Sequence, residues 1–149
     1  MKRLVVLVAA GMGLFAQTEA QLAESRRAKE LMAAGRFADA VPLCERLVAA
    51  LPGNAGLRLN LAIALHFTGE DLKAIPQFET VLKAQPTALP ALMLLGASYL
   101  RTGQPAKAVP HLEKALTLAP GDLQGRAMLA DGLLMLDRYA TAIPHLKKL

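Results

Sequence analysis

Apolar residues return at helical spacing along the chain, in segments that come in pairs. In residues 89–122, one apolar stripe precedes Gly103 and a second stripe follows it, ending at Pro120. The first stripe contains Leu92, Leu95, Gly96, Tyr99 and Leu100, and the second contains Ala108, Leu112, Ala115 and Leu116. No alternation of apolar and polar residues persists, so the pattern predicts helix, short turn, helix and argues against strands.

This helix pair recurs every 34 residues, and four sets of identical residues keep the interval. They are Gly35, Gly69 and Gly103; Ala40, Ala74, Ala108 and Ala142; Pro42, Pro76, Pro110 and Pro144; and Pro52, Pro86 and Pro120. The chain therefore divides into repeats at 21–54, 55–88 and 89–122, with an incomplete repeat at 123–149. Because the fourth repeat stops seven residues short of a full unit, we expect a fragment or a truncated gene model.

A proline recurs within each predicted second helix, although an interior proline costs about 3 kcal/mol. Pro110 and its equivalents fall about one turn after the predicted helix start, where few or no backbone hydrogen bonds are lost. We therefore expect each second helix to continue through its proline with at most a slight bend.

Residues 1–20 follow a different pattern from the repeats. A short basic segment at 1–3 precedes an apolar run at 4–16, and small residues stand where signal peptidase reads the chain. This layout predicts a secretory signal peptide that is cut after Ala20. A membrane-spanning helix needs about twenty apolar residues, and Gln17 and Glu19 stop this run short. An uncleaved signal is the alternative, and only through it would the chain contact a membrane.

The 34-residue pattern resembles the tetratricopeptide repeat. That signature has a Leu-Gly pair, an aromatic residue three positions later, a mid-repeat glycine, an alanine, a large apolar residue, another alanine and a final proline. The repeat at 89–122 carries it in Leu95-Gly96, Tyr99, Gly103, Ala108, Leu112, Ala115 and Pro120. The first repeat has Cys44 in the large apolar slot, and the fourth has Asp137 in place of the glycine.

The resemblance implies an all-α fold, a right-handed superhelical solenoid of antiparallel helix pairs in which each repeat contacts only its neighbours. Small residues would let the two helices of each pair approach closely. On the first helices these are Ala28, Ala62, Gly96 and Ala130, and on the second helices they are Ala40, Ala74, Ala108 and Ala142.

Charge and metal-ligand content exclude several functions. The chain has 17 Lys and Arg against 12 Asp and Glu, and the net charge of +5 is spread along the sequence. Nucleic-acid binding needs basic side chains clustered on one face, so no nucleic-acid partner is expected. One cysteine and three histidines give no metal-site spacing, and no glycine loop leads into a Lys-Ser or Lys-Thr pair. We expect no metal and no cofactor.

No residue set predicts catalysis. His66 lies on a first helix, but no Ser, Cys or acid stands at a suitable relation to it in the sequence. His111 and His145 occupy the same slot of consecutive repeats, so duplication explains their likeness, and a surface position is expected for both. Cys44 is predicted to be a small buried apolar residue. The chain is therefore predicted not to be an enzyme.

The resemblance also implies a binding groove, because the first helices of tetratricopeptide arrays line a concave surface that takes an extended peptide or a helix. By alignment the groove is rich in Met and Leu with basic side chains at its margin. Its predicted residues are Lys29, Leu59, Asn60, Ile63, His66, Phe67, Met93, Ala97, Leu100, Arg101, Met128 and Asp131. Unbranched Met adapts to varied shapes, and an apolar groove suits an amphipathic helix or an apolar peptide.

The best-known groove of this kind clamps the C-terminal carboxylate of a chaperone with Lys, Asn and Arg. Asn60 fits that pattern and Lys29 fits it loosely. Pro90 and Leu94 stand where basic residues are required, so a clamp of that kind is not expected.

These features predict a non-catalytic protein–protein interaction scaffold of the bacterial cell envelope, either periplasmic or secreted. Its partner would be a protein or peptide, and the pattern fixes neither the identity of that partner nor the oligomeric state. The alternative is an accessory N-terminal repeat segment of a larger secreted enzyme or assembly factor, truncated here. Reading the encoding DNA past Leu149 would separate these two predictions.

Overall fold

The computed structural model describes residues 18–149, and every regular element in this range is an α-helix. The helices are α1 (Glu19–Ala33), α2 (Phe37–Ala50), α3 (Ala55–Phe67), α4 (Asp71–Ala84), α5 (Leu89–Arg101), α6 (Pro105–Leu118), α7 (Leu123–Met135) and α8 (Tyr139–Leu146). The predicted all-α solenoid of antiparallel helix pairs is confirmed. None of these eight helices has the length and hydropathy needed to cross a bilayer. The predicted signal peptide lies almost wholly outside the described residues.

Side-chain caps begin three of the four first helices. Thr18 and Gln21 form a capping box on α1, in which each side chain bonds the other residue's backbone N–H. Asn54 accepts a hydrogen bond from the backbone of α3, and Asp122 does the same for α7. Helix α5 instead has Pro90 in its first turn, where a missing N–H costs little.

Each helix pair turns at a residue in the left-handed backbone conformation. Gly35, Gly69 and Gly103 have φ angles of 71°, 81° and 70°, which glycine adopts without a Cβ clash. Asp137 takes the same slot in the fourth pair with a φ of 56°. Asp tolerates this conformation better than most residues, so the fourth turn keeps the geometry of the other three.

The recurring proline is the sixth residue of every second helix. It is Pro42 in α2, Pro76 in α4, Pro110 in α6 and Pro144 in α8. An N–H at that place would bond the carbonyl four residues earlier, so each helix loses one hydrogen bond. All four helices continue through the proline, as the sequence predicted.

Small residues form the contact between the two helices of each pair. They are completely or almost completely buried at Ala28, Ala62, Ala130, Ala40, Ala74, Ala108 and Ala142. The approach is closest at Gly96, where an added Cβ would lie 2.6 Å from both Cγ and Cδ2 of Leu112. Helices α5 and α6 therefore meet at a distance that glycine permits and alanine does not, unless Leu112 moves.

The first helices form the inner layer of the solenoid. Helices α1, α3, α5 and α7 contact one another in succession, whereas within residues 18–149 no second helix contacts another second helix. In a curved array the elements on the concave side lie closer together than those on the convex side. The free faces of α1, α3, α5 and α7 therefore line the concave surface.

Candidate functional site

All the residues that the sequence predicted for a groove lie on the first helices α1, α3, α5 and α7, and all but one of them are at least partly exposed. Four of them are exposed: Lys29, Phe67, Arg101 and Asp131. Seven are partly buried: Leu59, Asn60, Ile63, Met93, Ala97, Leu100 and Met128. His66 differs from the expectation, because it is only 6% exposed. The surface is thus a band of half-buried apolar side chains with a few charges at its edge.

Two of these apolar side chains also hold neighbouring repeats together. Met93 lies against α7, where a Cβ built on Gly125 would come within 2.9 Å of its Sδ atom. Leu100 lies against the same helix, 3.2 Å from a Cβ built on Gly132. Only part of each side chain therefore remains free on the concave surface.

Phe67, by contrast, is 54% exposed and stands on an aromatic support. Its ring stacks on Phe37 of α2 with centroids 4.5 Å apart and planes inclined by 16°. The His66 ring meets it edge-on at 5.2 Å. Aromatic pairs of this geometry contribute about 0.5–1.5 kcal/mol beyond the area they bury. Phe67 is therefore a fixed aromatic side chain with one half open to solvent.

A shallow cavity of about 300 Å³ opens between α1 and α3. Its lining includes Ser25 and Lys29 from α1 and Leu59 and Asn60 from α3. The cavity thus combines a cation, an amide and a hydroxyl with an apolar wall. These groups can bind a small polar group of a partner.

A central polar cluster of His66, Asp71, Ser98 and Arg101 lies where the second and third repeats meet. Nδ1 of His66 is 3.0 Å from Oδ1 of Asp71, 2.8 Å from Oγ of Ser98 and 2.8 Å from Nη2 of Arg101. The Ser98 hydroxyl donates to Oδ1 of Asp71 at 2.7 Å. Nη2 of Arg101 donates to the same oxygen and to the His66 carbonyl, both at 2.6 Å. The cluster joins α3, α4 and α5.

Burial and charge fix the protonation states in this cluster. Burial lowers the pKa of His66, and the charge of Arg101 lowers it further, against the opposing effect of Asp71. Burial alone would raise the pKa of Asp71, but hydrogen bonds from Arg101 and Ser98 and the Arg101 charge outweigh it and hold that pKa below 3.8. At neutral pH the cluster holds a neutral imidazole, a carboxylate and a guanidinium.

The cluster corrects one expectation from the sequence, namely that no serine or acid stands in a suitable relation to His66. Ser98 and Asp71 both reach its ring. A nucleophilic triad needs the hydroxyl and the carboxylate on different ring nitrogens, whereas both approach Nδ1 here. Ser98 is also completely buried, so its hydroxyl does not face a substrate. The arrangement is a structural hydrogen-bond network.

Two family models match the sequence. The model described as Tetratricopeptide repeat matches residues 31–93. The model described as Anaphase-promoting complex, cyclosome, subunit 3 matches residues 68–149, which is more than half of the chain. Both models describe tetratricopeptide repeat families. The chain belongs to the tetratricopeptide repeat families.

Solved structures of MamA share the tetratricopeptide fold of this chain. MamA of Desulfovibrio magneticus RS-1, from residue 41 to the end, has a TM-score of 0.82 and 21% identity, with 89% of this chain and 75% of that chain covered. MamA AMB-1 has a TM-score of 0.78 and 22% identity, with 84% and 74% covered. At these identities the likeness shows the fold alone. A search of curated proteins finds no match.

The tetratricopeptide register shows which signal could have revealed the central polar cluster. In the slot of Asp71 the other repeats carry Phe37, Pro105 and Tyr139, whereas in the slot of Ser98 they carry Glu30, Ala64 and Gly132. A charged residue in a slot that otherwise holds aromatic residues or proline indicates a partner in the neighbouring repeat. Comparing the repeats slot by slot would therefore have singled out Asp71, which the sequence analysis missed, but not Ser98.

A second polar group links α5 to its neighbouring second helices. The Tyr99 hydroxyl donates to the carboxylate of Glu79, and burial together with this hydrogen bond raises the pKa of Tyr99 to about 12. The His111 ring lies parallel to the Tyr99 ring within 15°, with centroids 6.0 Å apart. Burial lowers the pKa of His111. His111 is therefore a half-buried packing residue rather than a fully exposed one.

Cys44 is buried as predicted, with 1% of its surface exposed. Burial, aided by the charges of Glu24 and Glu45, raises the pKa of its thiol to about 11, so the thiol stays protonated at neutral pH. Among residues 18–149, no three His, Cys, Asp or Glu side chains gather in a way that could hold a metal ion.

Proposed function

We propose that this tetratricopeptide repeat protein is a non-catalytic interaction scaffold of the bacterial cell envelope, which binds a peptide or a helix of a partner protein on its concave surface. Membership of the tetratricopeptide repeat families supports the interaction role. The observation that carries the proposal is the band of half-buried apolar side chains on the inner layer, with Phe67 fixed and protruding. Apolar surface of this kind suits a partner that offers an apolar stripe.

The dimensions of the inner layer agree with such a partner. Packed helices lie about 8–10 Å apart, so the four first helices span roughly 25–30 Å from α1 to α7. A helix rises about 1.5 Å per residue, and an extended segment about 3.3 Å per residue. The surface therefore accommodates roughly twenty residues of helix or nine residues of extended peptide.

Replacing Phe67 with alanine is expected to weaken a peptide selected on this protein by about 1–3 kcal/mol, because the variant removes the protruding aromatic contact. The affinities of peptides selected from a random library can be measured by fluorescence anisotropy. Leu72→Ala is the matched control, since Leu72 is 74% exposed but lies on the second helix α4. An unchanged affinity in Phe67→Ala with a loss in Leu72→Ala would place binding on the outer layer and contradict the proposal.

Export is the second part of the proposal and rests on the pattern of residues 1–20. Mass spectrometry of the protein isolated from its native cells is expected to find Gln21 as the mature N-terminus. Cleavage there would also remove Thr18, which caps α1, at a cost of about 0.5–2 kcal/mol to that helix. A chain that retains Met1 in the cytoplasm would contradict the envelope location while leaving the interaction role intact.

A further inference from the structure

Cations outnumber anions on the concave surface. The concave slots of the first helices place Arg26 and Lys29 on α1 and Arg101 on α5, against Asp131 on α7. All four side chains are exposed. Arg26 and Lys29 form no ion pair with another residue of the described chain. The inner layer therefore carries two unpaired cations at its N-terminal end, Arg26 and Lys29, whereas the charge of Arg101 is offset by Asp71.

Arg101 is the cation that the structure holds in place. Its side chain is 47% exposed, yet Nη2 donates hydrogen bonds to Oδ1 of Asp71 and to the His66 carbonyl. The Asp71 carboxylate is itself buried and is held by Ser98. Three inner-layer slots equivalent to Arg101 carry Ala33, Phe67 and Met135, so this anchored arginine occurs in one repeat.

The rest of the guanidinium remains available to a ligand. A guanidinium has five N–H donors in a planar fork, and those of Nε and Nη1 form no hydrogen bond to any of residues 18–149. Anchoring at Nη2 reduces the conformational freedom that the side chain would lose on binding. Each bidentate edge of a guanidinium includes Nη2, so Nε and Nη1 of Arg101 lie on different edges and each can donate one hydrogen bond to a carboxylate oxygen. Charge-assisted hydrogen bonds of this type are stronger than those between neutral groups.

We infer that the partner segment carries a carboxylate and that Arg101 binds it, with Asp71, Ser98 and His66 as positioning residues. This inference rests on the function proposed above, because it concerns the same concave surface. The occupant is then an apolar or amphipathic segment with Asp or Glu side chains that meet Arg101 and the cations of α1. The position on α5 differs from the positions of the chaperone clamp, which Pro90 and Leu94 occupy here.

The test uses the full chain and a displayed library of random 16-residue peptides as the probe. Selected peptides are expected to be enriched in Asp and Glu, beside apolar residues. Each selected peptide is then synthesised in two forms that differ by Glu or Gln at the acidic position. Their affinities are measured for the wild type, Arg101→Gln, and the double variant Asp71→Asn/Arg101→Gln, which leaves no buried charge unpaired.

The Glu peptide is expected to bind about tenfold more weakly to both variants, while the Gln peptide binds all three proteins alike. Arg46→Gln is the matched control, because Arg46 is also ion-paired with a carboxylate, that of Glu24, but lies on the second helix α2. Melting curves establish that each variant is folded.

Two outcomes would contradict the inference and leave the proposed function intact. They are peptides that bind through Phe67 with no acidic enrichment, and a Glu peptide that loses as much affinity in Arg46→Gln as in Arg101→Gln. If the library yields no peptide whose binding depends on the inner layer, the proposed function fails and this inference fails with it.

Discussion

Replacing Gly96 with alanine is expected to lower the free energy of unfolding by about 1–3 kcal/mol, even though alanine is the better helix former. The added Cβ would lie 2.6 Å from Cγ and Cδ2 of Leu112, so the whole Leu112 side chain has to move. That side chain is completely buried, and because protein interiors are close-packed, displacing it disturbs its neighbours. Urea unfolding followed by circular dichroism measures the effect, and Gly96→Leu should cost more.

Gly132→Ala is the control for this experiment. A Cβ at that position would meet single methyl groups of Leu100 and Val109 at 3.2 Å, which a small shift can relieve. Its cost should be well below that of Gly96→Ala. The double variant Gly96→Ala/Leu112→Cys reproduces the pair Ala28 and Cys44 of the first repeat, so its cost should be less than the sum of the two single costs. Equal unfolding curves for the wild type and Gly96→Ala would contradict the close approach of α5 and α6.

The fold could be predicted from the sequence because its determinants are local and recur at a fixed period. Gly69 and Gly103 mark turns, and Ala74 and Ala108 mark helix contacts, each 34 residues apart. Each repeat contacts its neighbours, so one correctly placed repeat places the next. Even Asp137 keeps the turn geometry that its slot requires.

The candidate site could be predicted only where a residue has the environment that is usual for its position in the repeat. Lys29 and Phe67 are exposed, as their slots imply, but His66 is buried. Its burial depends on Asp71, Ser98 and Arg101, and two of these lie on the next repeat. A contact between repeats that occurs once leaves no periodic signal, so a search for periodicity passes over it.

The second large effect is expected at this central polar cluster. Asp71→Phe, which introduces the residue that the first repeat carries in that slot, should destabilise the protein by about 2–4 kcal/mol. It removes the carboxylate that accepts hydrogen bonds from Ser98 and Arg101 and leaves the buried Ser98 hydroxyl without that acceptor. Urea unfolding of the single variant measures this cost.

Exchanging all four residues of the central polar cluster should restore stability, whereas the single exchange reduces it. The junction of the first two repeats carries Met32, Phe37, Ala64 and Phe67 in the equivalent slots. The variant His66→Met/Asp71→Phe/Ser98→Ala/Arg101→Phe should therefore regain most or all of the stability lost by Asp71→Phe, because well-packed apolar residues replace buried ionic groups at little or no cost. If the fourfold exchange is less stable than Asp71→Phe, the two junctions are not equivalent and this account of the cluster is wrong.

The pH dependence of stability separates the cluster from a purely steric effect. The pKa of His66 is below 6.5 in the folded state, so its contribution is fully present above pH 6.5 and declines as the pH falls below that value. The pKa of Asp71 is below 3.8 in the folded state, so its contribution declines as the pH falls below 3.8. The wild type should lose stability in both ranges relative to the fourfold exchange, which contains neither group. Other titrating groups, including His111, are common to both proteins and cancel in the difference. A difference in unfolding free energy that stays constant from pH 7 to pH 3 would show that the cluster does not hold His66 neutral and Asp71 ionised.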